Sequence, residues 1–359
     1  MSAQLDAFTY NALPARVIMG AGKREEVAAE VGRLNCARPL IVTTRDQAAL
    51  GEDIARRFDA QQVSRFADAT MHTPWPVTQR ALEVVQDSRI DCVIAIGGGS
   101  SIGLSKAIAL RTGLPQIVLP TTYAGSEVTP IIGETRDGEK HTQRTLDVLP
   151  EVVIYDVELT LSLPVALSSA SGLNAIAHAV EALYAADANP ITSLMAEEGI
   201  AALANSLPHI VQAPDSIQAR GVAQYGAWLC GTCLGTVGMG LHHKICHVLG
   251  GTFDLAHAPT HAVMISHVTA YNAFSTPSSM ARIARALKAR DAWTGLYDLA
   301  TNLDLPVSLE ALGMPETGID LAVQLIMQNT YSNPRTPDAA ALRSMLRRAW
   351  KGLPPQPIE

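Results

Sequence analysis

The chain has 359 residues, 48% hydrophobic and 17% charged, with a formal net charge of −7. That is enough apolar chain for two packed domains, and it excludes a disordered protein. An acidic balance without a basic stripe excludes nucleic acid as the expected partner, and no apolar run reaches the length of a membrane span.

Five cysteines at irregular spacing do not form a disulfide framework and suit a reducing cytoplasm. The opening stretch MSAQLDAFTYNALPARVIMG lacks a basic segment followed by an apolar one, so no targeting signal is expected. From about residue 15 to 155, short β-branched runs alternate with amphipathic stretches. RVIMG leads into KREEVAAEVGRL, and PLIVTT into AALGEDIARRF; VTQRALEVVQDS precedes DCVIAIGGG, and SSIGLSKAIALRT precedes QIVLPTT. Apolar runs of this length between helices predict parallel strands buried on both faces, in a doubly wound α/β sheet.

Past LSLP at 161–164 the strand-like runs nearly vanish. SSASGLNAIAHAVEALYAA, ITSLMAEEGIAALANSLPHIVQ, IQARGVAQYGAWLCGTCLGT, SSMARIARALKAR and AAALRSMLRRAW all read as helices. The expected organisation is an α/β domain over 1–160 and an all-helical domain over 161–359.

Within the first half, DCVIAIGGGSSIGLSKAIAL places Gly97, Gly98 and Gly99 between a buried strand and a helix, with Ser100 and Ser101 following. Glycines admit close approach of a ligand to the backbone, and free amides at a helix start favour an anion. The spacing fits neither a P-loop nor a strict Rossmann fingerprint, and a tight turn without a ligand is the alternative. A second loop, LPTTYAGSEVTP, offers Thr121, Thr122 and Ser126 after another apolar strand. Open α/β sheets bind ligands at such carboxyl edges, so the two loops together outline a dinucleotide crevice.

The second half holds histidines. Asn174 and His178 in SGLNAIAHAVEAL are four apart, as are His243 and His247 in HHKICH, so each pair shares a helix face. His257 follows a glycine-containing turn. A divalent cation would want these imidazoles joined by a carboxylate. His209, His242, His261 and His267 read as structural or surface residues, and His141 lies in a polar loop. CGTC at 230–233 sits on an apolar helix and reads as core cysteines rather than a redox pair.

Several segments carry a family resemblance: GGGSSIGLSKA, PTTYAGSEVTPI, VLPEVVIYDVELT, SGLNAIAHAVEALYA and HHKICHVLGGTFDLAHAPTHA. Over nearly its whole length the chain resembles the iron-containing alcohol dehydrogenase superfamily, and most closely the maleylacetate reductase branch. The resemblance implies the dehydroquinate synthase-like, iron-containing alcohol dehydrogenase fold: an α/β nucleotide-binding domain, an all-helical domain, and an active site in the cleft between them. It also implies an NAD(P)H-dependent oxidoreductase and a homodimer. In metal-dependent members an aspartate and three histidines hold the cation, at positions corresponding to Asn174, His178, His243 and His257, with His247 beside the nicotinamide and substrate. Asn174 replaces the only anionic ligand; the maleylacetate reductase branch is similar in carrying asparagine there and in working without a metal. No metal is therefore expected.

The reaction so implied is reduction of the carbon–carbon double bond of maleylacetate to 3-oxoadipate, a step in aromatic catabolism. His243 or His247 would serve as acid or oxyanion donor, with His178, His257 and Asn174 lining the pocket. Lys244 and Arg144 are candidates for the carboxylates of this small dicarboxylate substrate. Around Arg144 the chain departs from the branch, with QRT where glycine–arginine–aspartate is usual. After the second strand, Thr44 stands where NAD-preferring relatives place an aspartate, so NADH is the expected cofactor and NADPH is not excluded. The rival expectations are a metal-dependent alcohol dehydrogenase, a lyase of the dehydroquinate synthase type, and a non-catalytic dinucleotide sensor.

Overall fold

The computed structural model describes residues 8–13, 15–328 and 331–358. The first seven residues of the N-terminal stretch lie outside them. The chain divides into two compact units, Leu13–Leu163 and Pro164–Glu359, the latter with residues 8–12. The sequence reading places this divide after 160; a turn through Thr160, closed by Leu163 N donating to its carbonyl at 3.0 Å, carries it to the proline.

In the first unit the strands are β1 (Arg16–Met19), β2 (Pro39–Val42), β3 (Ser64–Phe66), β4 (Cys92–Gly97), β5 (Gln116–Pro120), β6 (Ile131–Arg136), β7 (Glu139–Arg144) and β8 (Val152–Tyr155). Four helices connect them: α1 (Val27–Arg33), α2 (Ala48–Ala55), α3 (Trp75–Asp87) and α4 (Gly99–Thr112). Six strands form one parallel sheet in the order β1-β8-β5-β4-β2-β3. Every residue of β2, β4, β5 and β8 is buried, as parallel strands covered on both faces must be. Alternate residues feed opposite cores. Ile41, Ile94 and Ile96 pack with Val27 and Ile54 on one side; Leu40, Val42 and Val93 pack with Val77, Ala81 and Leu104 on the other.

The strand order reverses between β2 and β4, which is the switch point where such sheets take ligands. In register, Gly97 of β4 faces Pro120 of β5. The two strands therefore end level, and the glycine turn and the threonine loop emerge side by side.

The sequence reading leaves 131–148 without strands and puts His141 in a loop. The structure instead forms an antiparallel β6–β7 hairpin, with His141 on β7 opposite Glu134. Asp137 and Gly138 turn it, with φ of 52° and 80°, the left-handed pair such a tight hairpin requires. Strand β7 is exposed at every position and polar throughout, so it carries no apolar alternation to read.

The second unit is all helical: α5 (Val165–Ala182), α6 (Pro190–Gln212), α7 (Ile217–Thr236), α8 (Leu241–Phe253), α9 (His257–Asn272), α10 (Pro277–Leu287), α11 (Ala292–Asn302), α12 (Gly318–Met327) and α13 (Ala339–Trp350). Helix α5 is its axis, buried at every residue from Ser168 to Ala182. Such a helix has no polar face to spare, so its Asn174, His178 and Glu181 must find partners inside the protein. A core of Leu241, Ile245, Leu249, Met264, Leu342 and Leu346 fixes α8 and α9 against α13. Cys230 and Cys233 are buried on α7, and burial raises both thiol pKa values, that of Cys233 to about 12. No helix of the described residues is long and apolar enough to cross a membrane.

Helices α6 and α7 cross closely because glycines meet there. A Cβ on Gly199 would lie 2.7 Å from Cys230 Sγ and 3.2 Å from the Gly226 carbonyl oxygen. Backbone cannot yield as a side chain can, so Gly199→Val must spread the pair. We expect about 2–3 kcal/mol of destabilisation, read as a lower midpoint for thermal unfolding of the helical unit.

Candidate active site

The α/β unit presents its cradle at the switch point. Gly97 has φ of +143°, and a Cβ there would meet Gln47 Oε1 at 2.5 Å and Ser101 Oγ at 2.6 Å. A Cβ on Gly98 would strike Thr122 Cγ2 at 2.9 Å. Both glycines are thus dictated by close approach. Helix α4 starts at Gly99 with no side-chain cap, so the amides of Gly99, Ser100 and Ser101 have no partner within the helix. Ser101 Oγ is buried without a hydrogen-bond partner. The neighbouring loop is fastened by Thr121 N donating to Gly97 O at 3.0 Å and by Gln47 Nε2 donating to Thr121 Oγ1 at 2.7 Å. Thr44 follows β2 in extended conformation; the next residue, Arg45, is exposed and paired with Asp68 at 2.7 Å. Uncapped amides at a positive helix end, backed by glycines, fit a pyrophosphate.

The helical unit gathers six histidines at graded depth. Deepest are His242 and His261, with no exposure, joined Nε2 to Nδ1 at 2.9 Å. Next are His178 and His243, buried and stacked with ring centroids 5.1 Å apart. Outermost are His247 and His257, both exposed, with centroids 6.4 Å apart. The sequence reading takes His242 and His261 as structural or surface residues, yet His261 lies 5.1 Å from His243 and 4.3 Å from His257 between ring centroids. Burial lowers the His242 pKa to about 3, and burial with the surrounding imidazoles holds His178 and His261 well below the usual range.

One further group escaped the sequence reading. Glu181 lies on α5, a turn beyond His178 and on the same face, so the i, i+4, i+7 spacing from Asn174 did carry the signal. Its Oε2 accepts from His243 Nδ1 at 2.6 Å and from Gly240 N at 3.0 Å, and its Oε1 accepts from His242 N at 2.7 Å. The carboxylate therefore receives the uncapped start of α8 and the ring of His243 at once. Burial would raise its pKa, but the hydrogen bond and charge of His243 and the backbone donors prevail and lower it to about 2. With Nδ1 donating to Glu181, His243 turns Nε2 inward, where it is buried and without a partner.

Asn174 Oδ1 and His178 Nδ1 are likewise buried and unpartnered. A cation is poorly served here. Asn174 supplies a neutral amide oxygen in place of an anion, which lowers the negative charge available to a cation beside His178. Among the described residues two groups bring three donors within 4.8 Å, namely His242, Cys246 and His261, and Cys36, Asp91 and Cys92. Neither contains His178 or His257. In the first the two imidazoles already bond each other; in the second Asp91 accepts the amides of Ala37 and Arg38, both at 2.8 Å.

Of the other expected site residues, Lys244 follows His243 on α8 and is half-buried, and Arg144 ends β7 exposed in the α/β unit. Residues 14–157 match the family described as iron-containing alcohol dehydrogenase, and residues 168–350 match its C-terminal part. The chain belongs to the iron-containing alcohol dehydrogenase family. Within this family it is 50% identical over 352 residues to a maleylacetate reductase from Rhizobium sp. (strain MTP-10005), covering 98% of this chain and all of that one. It is 51% identical to a maleylacetate reductase from Sphingobium indicum, over 97% of this chain and 99% of the relative. The crystal structure of maleylacetate reductase from Agrobacterium tumefaciens superposes with a TM-score of 0.95 at 50% identity, covering 98% of this chain and 100% of the other. This places the chain in the maleylacetate reductase branch of the iron-containing alcohol dehydrogenases, which are NAD(P)H oxidoreductases.

Two outcomes follow from the histidine core. Because the folded protein keeps His242 neutral, its contribution to stability is full above the usual histidine range and declines as pH falls from 6.5 toward about 3. Thermal unfolding should show a loss of about 1.4 kcal/mol per pH unit from this group, and His242→Gln should reduce the slope between pH 6 and 5 by about that amount, leaving the part due to His178 and His261. Glu181→Gln should leave the far-ultraviolet circular dichroism intact but lower turnover by about 10–100-fold, because a neutral amide orients His243 less firmly.

Proposed function

We propose that the chain reduces the carbon–carbon double bond of maleylacetate with NADH, giving 3-oxoadipate, and does so without a metal ion. The observation that carries this reading is Asn174. It stands one turn before His178 and opposes a cation, while the imidazoles around it remain, in a chain half identical to maleylacetate reductases. The dinucleotide, when bound, supplies a hydride to the carbon β to the ketone. The electron pair then resides in an enolate, which takes one proton at the carbon next to the ketone.

The residues of this chain have two tasks, holding the enolate oxygen and delivering that proton. His243 is suited to both as the imidazolium, since Glu181 accepts from its Nδ1–H and balances the charge, which leaves the Nε2–H to donate. The exposed His247 is the second candidate, with His178, His257 and Asn174 shaping the pocket. Lys244 and Arg144 would receive the two carboxylates of the substrate. Gly97, Gly98, Gly99, Ser100, Ser101, Thr121, Thr122, Ser126 and Thr44 would hold the cofactor. NADH is preferred over NADPH because Arg45, the cation nearest Thr44 in sequence, is engaged by Asp68. A cytoplasmic homodimer completes the reading; the five free cysteines fit a reducing compartment.

The test follows NADH absorbance with maleylacetate as oxidant, with and without EDTA. Equal rates and substoichiometric metal are expected; activity lost to chelator and restored by iron or zinc would overturn the metal-free reading. His243→Ala should lower turnover by about 10²–10⁴-fold, the usual worth of a positioned acid. Unchanged turnover in both His243→Ala and His247→Ala would remove the histidine assignment. Asn174→Asp should instead confer measurable Zn²⁺ binding by calorimetry, because it restores the anionic ligand.

A further inference from the structure

A lysine is buried in the α/β unit where no acid neutralises it directly. Lys106 is 1% exposed, on α4, two turns beyond the glycine cradle. Its ammonium donates to Ser126 O at 2.7 Å, Thr129 O at 2.6 Å, Thr129 Oγ1 at 3.0 Å and Ile131 O at 2.9 Å. Thr129 Oγ1 in turn donates to Ser126 O at 3.0 Å. Three N–H donors thus serve four oxygens of one turn; without them Thr129 O and Ile131 O would lose these donors, and Ser126 O would keep only Thr129 N, at 3.3 Å, and Thr129 Oγ1.

That turn is the far end of the loop facing the cradle. Its near end is tied to the cradle itself through Thr121 N and Gly97 O. Its middle is held by Glu127, whose Oε1 accepts from Tyr155 OH of β8 at 2.8 Å. Lys106 grips backbone on both sides of Glu127, at Ser126 O and Thr129 O. Gly125, with φ of +82°, starts the tight turn that points Ser126 back toward α4. Ser126 then gives its carbonyl to Lys106 while its Oγ stays buried and unpartnered. One rigid helix therefore carries the phosphate-facing amides at its first turn and, about 10 Å further on, the cation that sets the opposing loop.

We propose that Lys106 is a positioning residue for the dinucleotide: it fixes the spacing between the α4 amides and the Thr122–Ser126 loop, and so the width of the cradle. This rests on reading Gly97–Ser101 and Thr121–Ser126 as the nucleotide site. Lys106 need not touch the cofactor. It acts through the loop, so its loss should affect cofactor binding far more than maleylacetate binding.

The experiment measures NADH dissociation constants for the full-length protein by energy transfer from its tryptophans, together with steady-state kinetics. Lys106→Met keeps most of the side chain's length, one atom short, and removes the donors. We expect its NADH Kd and KM to rise roughly tenfold or more, with maleylacetate KM nearly unchanged and kcat at saturating NADH falling less than KM rises. Thr129→Val removes one acceptor from the same knot and should weaken NADH by roughly threefold in a protein that folds normally. A merely structural lysine would lower the melting temperature and leave NADH affinity of the folded protein unchanged, and that result overturns the proposal. Should Lys106→Met fail to fold, Thr129→Val decides, and an unaltered Kd there overturns it equally. Gly98→Val separates the two levels. If it abolishes NADH binding while Lys106→Met and Thr129→Val bind normally, positioning by Lys106 fails and the cradle stands; if Gly98→Val binds NADH normally, the cradle and the proposal fall together.

Discussion

A single buried carboxylate organises the chemical half of this protein. Glu181 sits on the central helix α5 with no water to solvate it, so its charge is tolerable only if the fold supplies donors. The fold does so from one place, the start of α8, through the amides of Gly240 and His242 and the ring of His243. The dependence is mutual. Without the carboxylate the first turn of α8 would bury uncapped amides, and His243 would have no fixed tautomer. The helix end, the ring and the acid are one electrostatic unit, and Asn174 and His178 stand beside it on the same stretch of α5.

This unit explains how an amide at position 174 can be compatible with chemistry. A scaffold that holds a cation uses its charge to polarise an oxygen; here position 174 offers a neutral amide, and the buried carboxylate, Glu181, is engaged by His243 and the start of α8. What remains is a set of imidazoles whose depth sorts their state. The deep pair is kept neutral by burial, while His243 is oriented by an acid and the outer pair meets solvent. Position in the gradient, rather than residue type, separates the histidines kept neutral in the interior from those that meet a carboxylate or solvent.

The α/β unit presents uncapped amides at the start of α4, a geometry that suits an anion. Level strand ends at Gly97 and Pro120 bring two turns together. Glycines at 97 and 98 leave room for the backbone and for Gln47, Ser101 and Thr122 to approach. Lys106, buried behind them, draws the carbonyls of the second turn inward so that none is orphaned. In both units a buried titratable side chain bonds to backbone, and in both it is the neighbouring loop or helix end that it engages.

Much of this was written in local sequence. Buried β-branched runs between amphipathic segments dictated a parallel sheet, because only strands covered on both faces read that way, and Gly97 and Gly98 marked the turn before α4, where a Cβ would meet close neighbours. Four-residue spacing put Asn174 with His178 and His243 with His247 on shared helix faces. Local pattern could not reveal strand β7, which is polar and exposed throughout, nor separate His261 from a surface histidine, since depth is a property of packing. The roles of Glu181 and Lys106 were hidden for the same reason: a charge in an apolar helix announces burial, but its partners lie 59 to 62 residues away for one and 20 to 25 for the other. Residue type and spacing determined which groups could act; only the tertiary fold, by removing water and supplying specific donors and acceptors, decided which of them are held ready to do so.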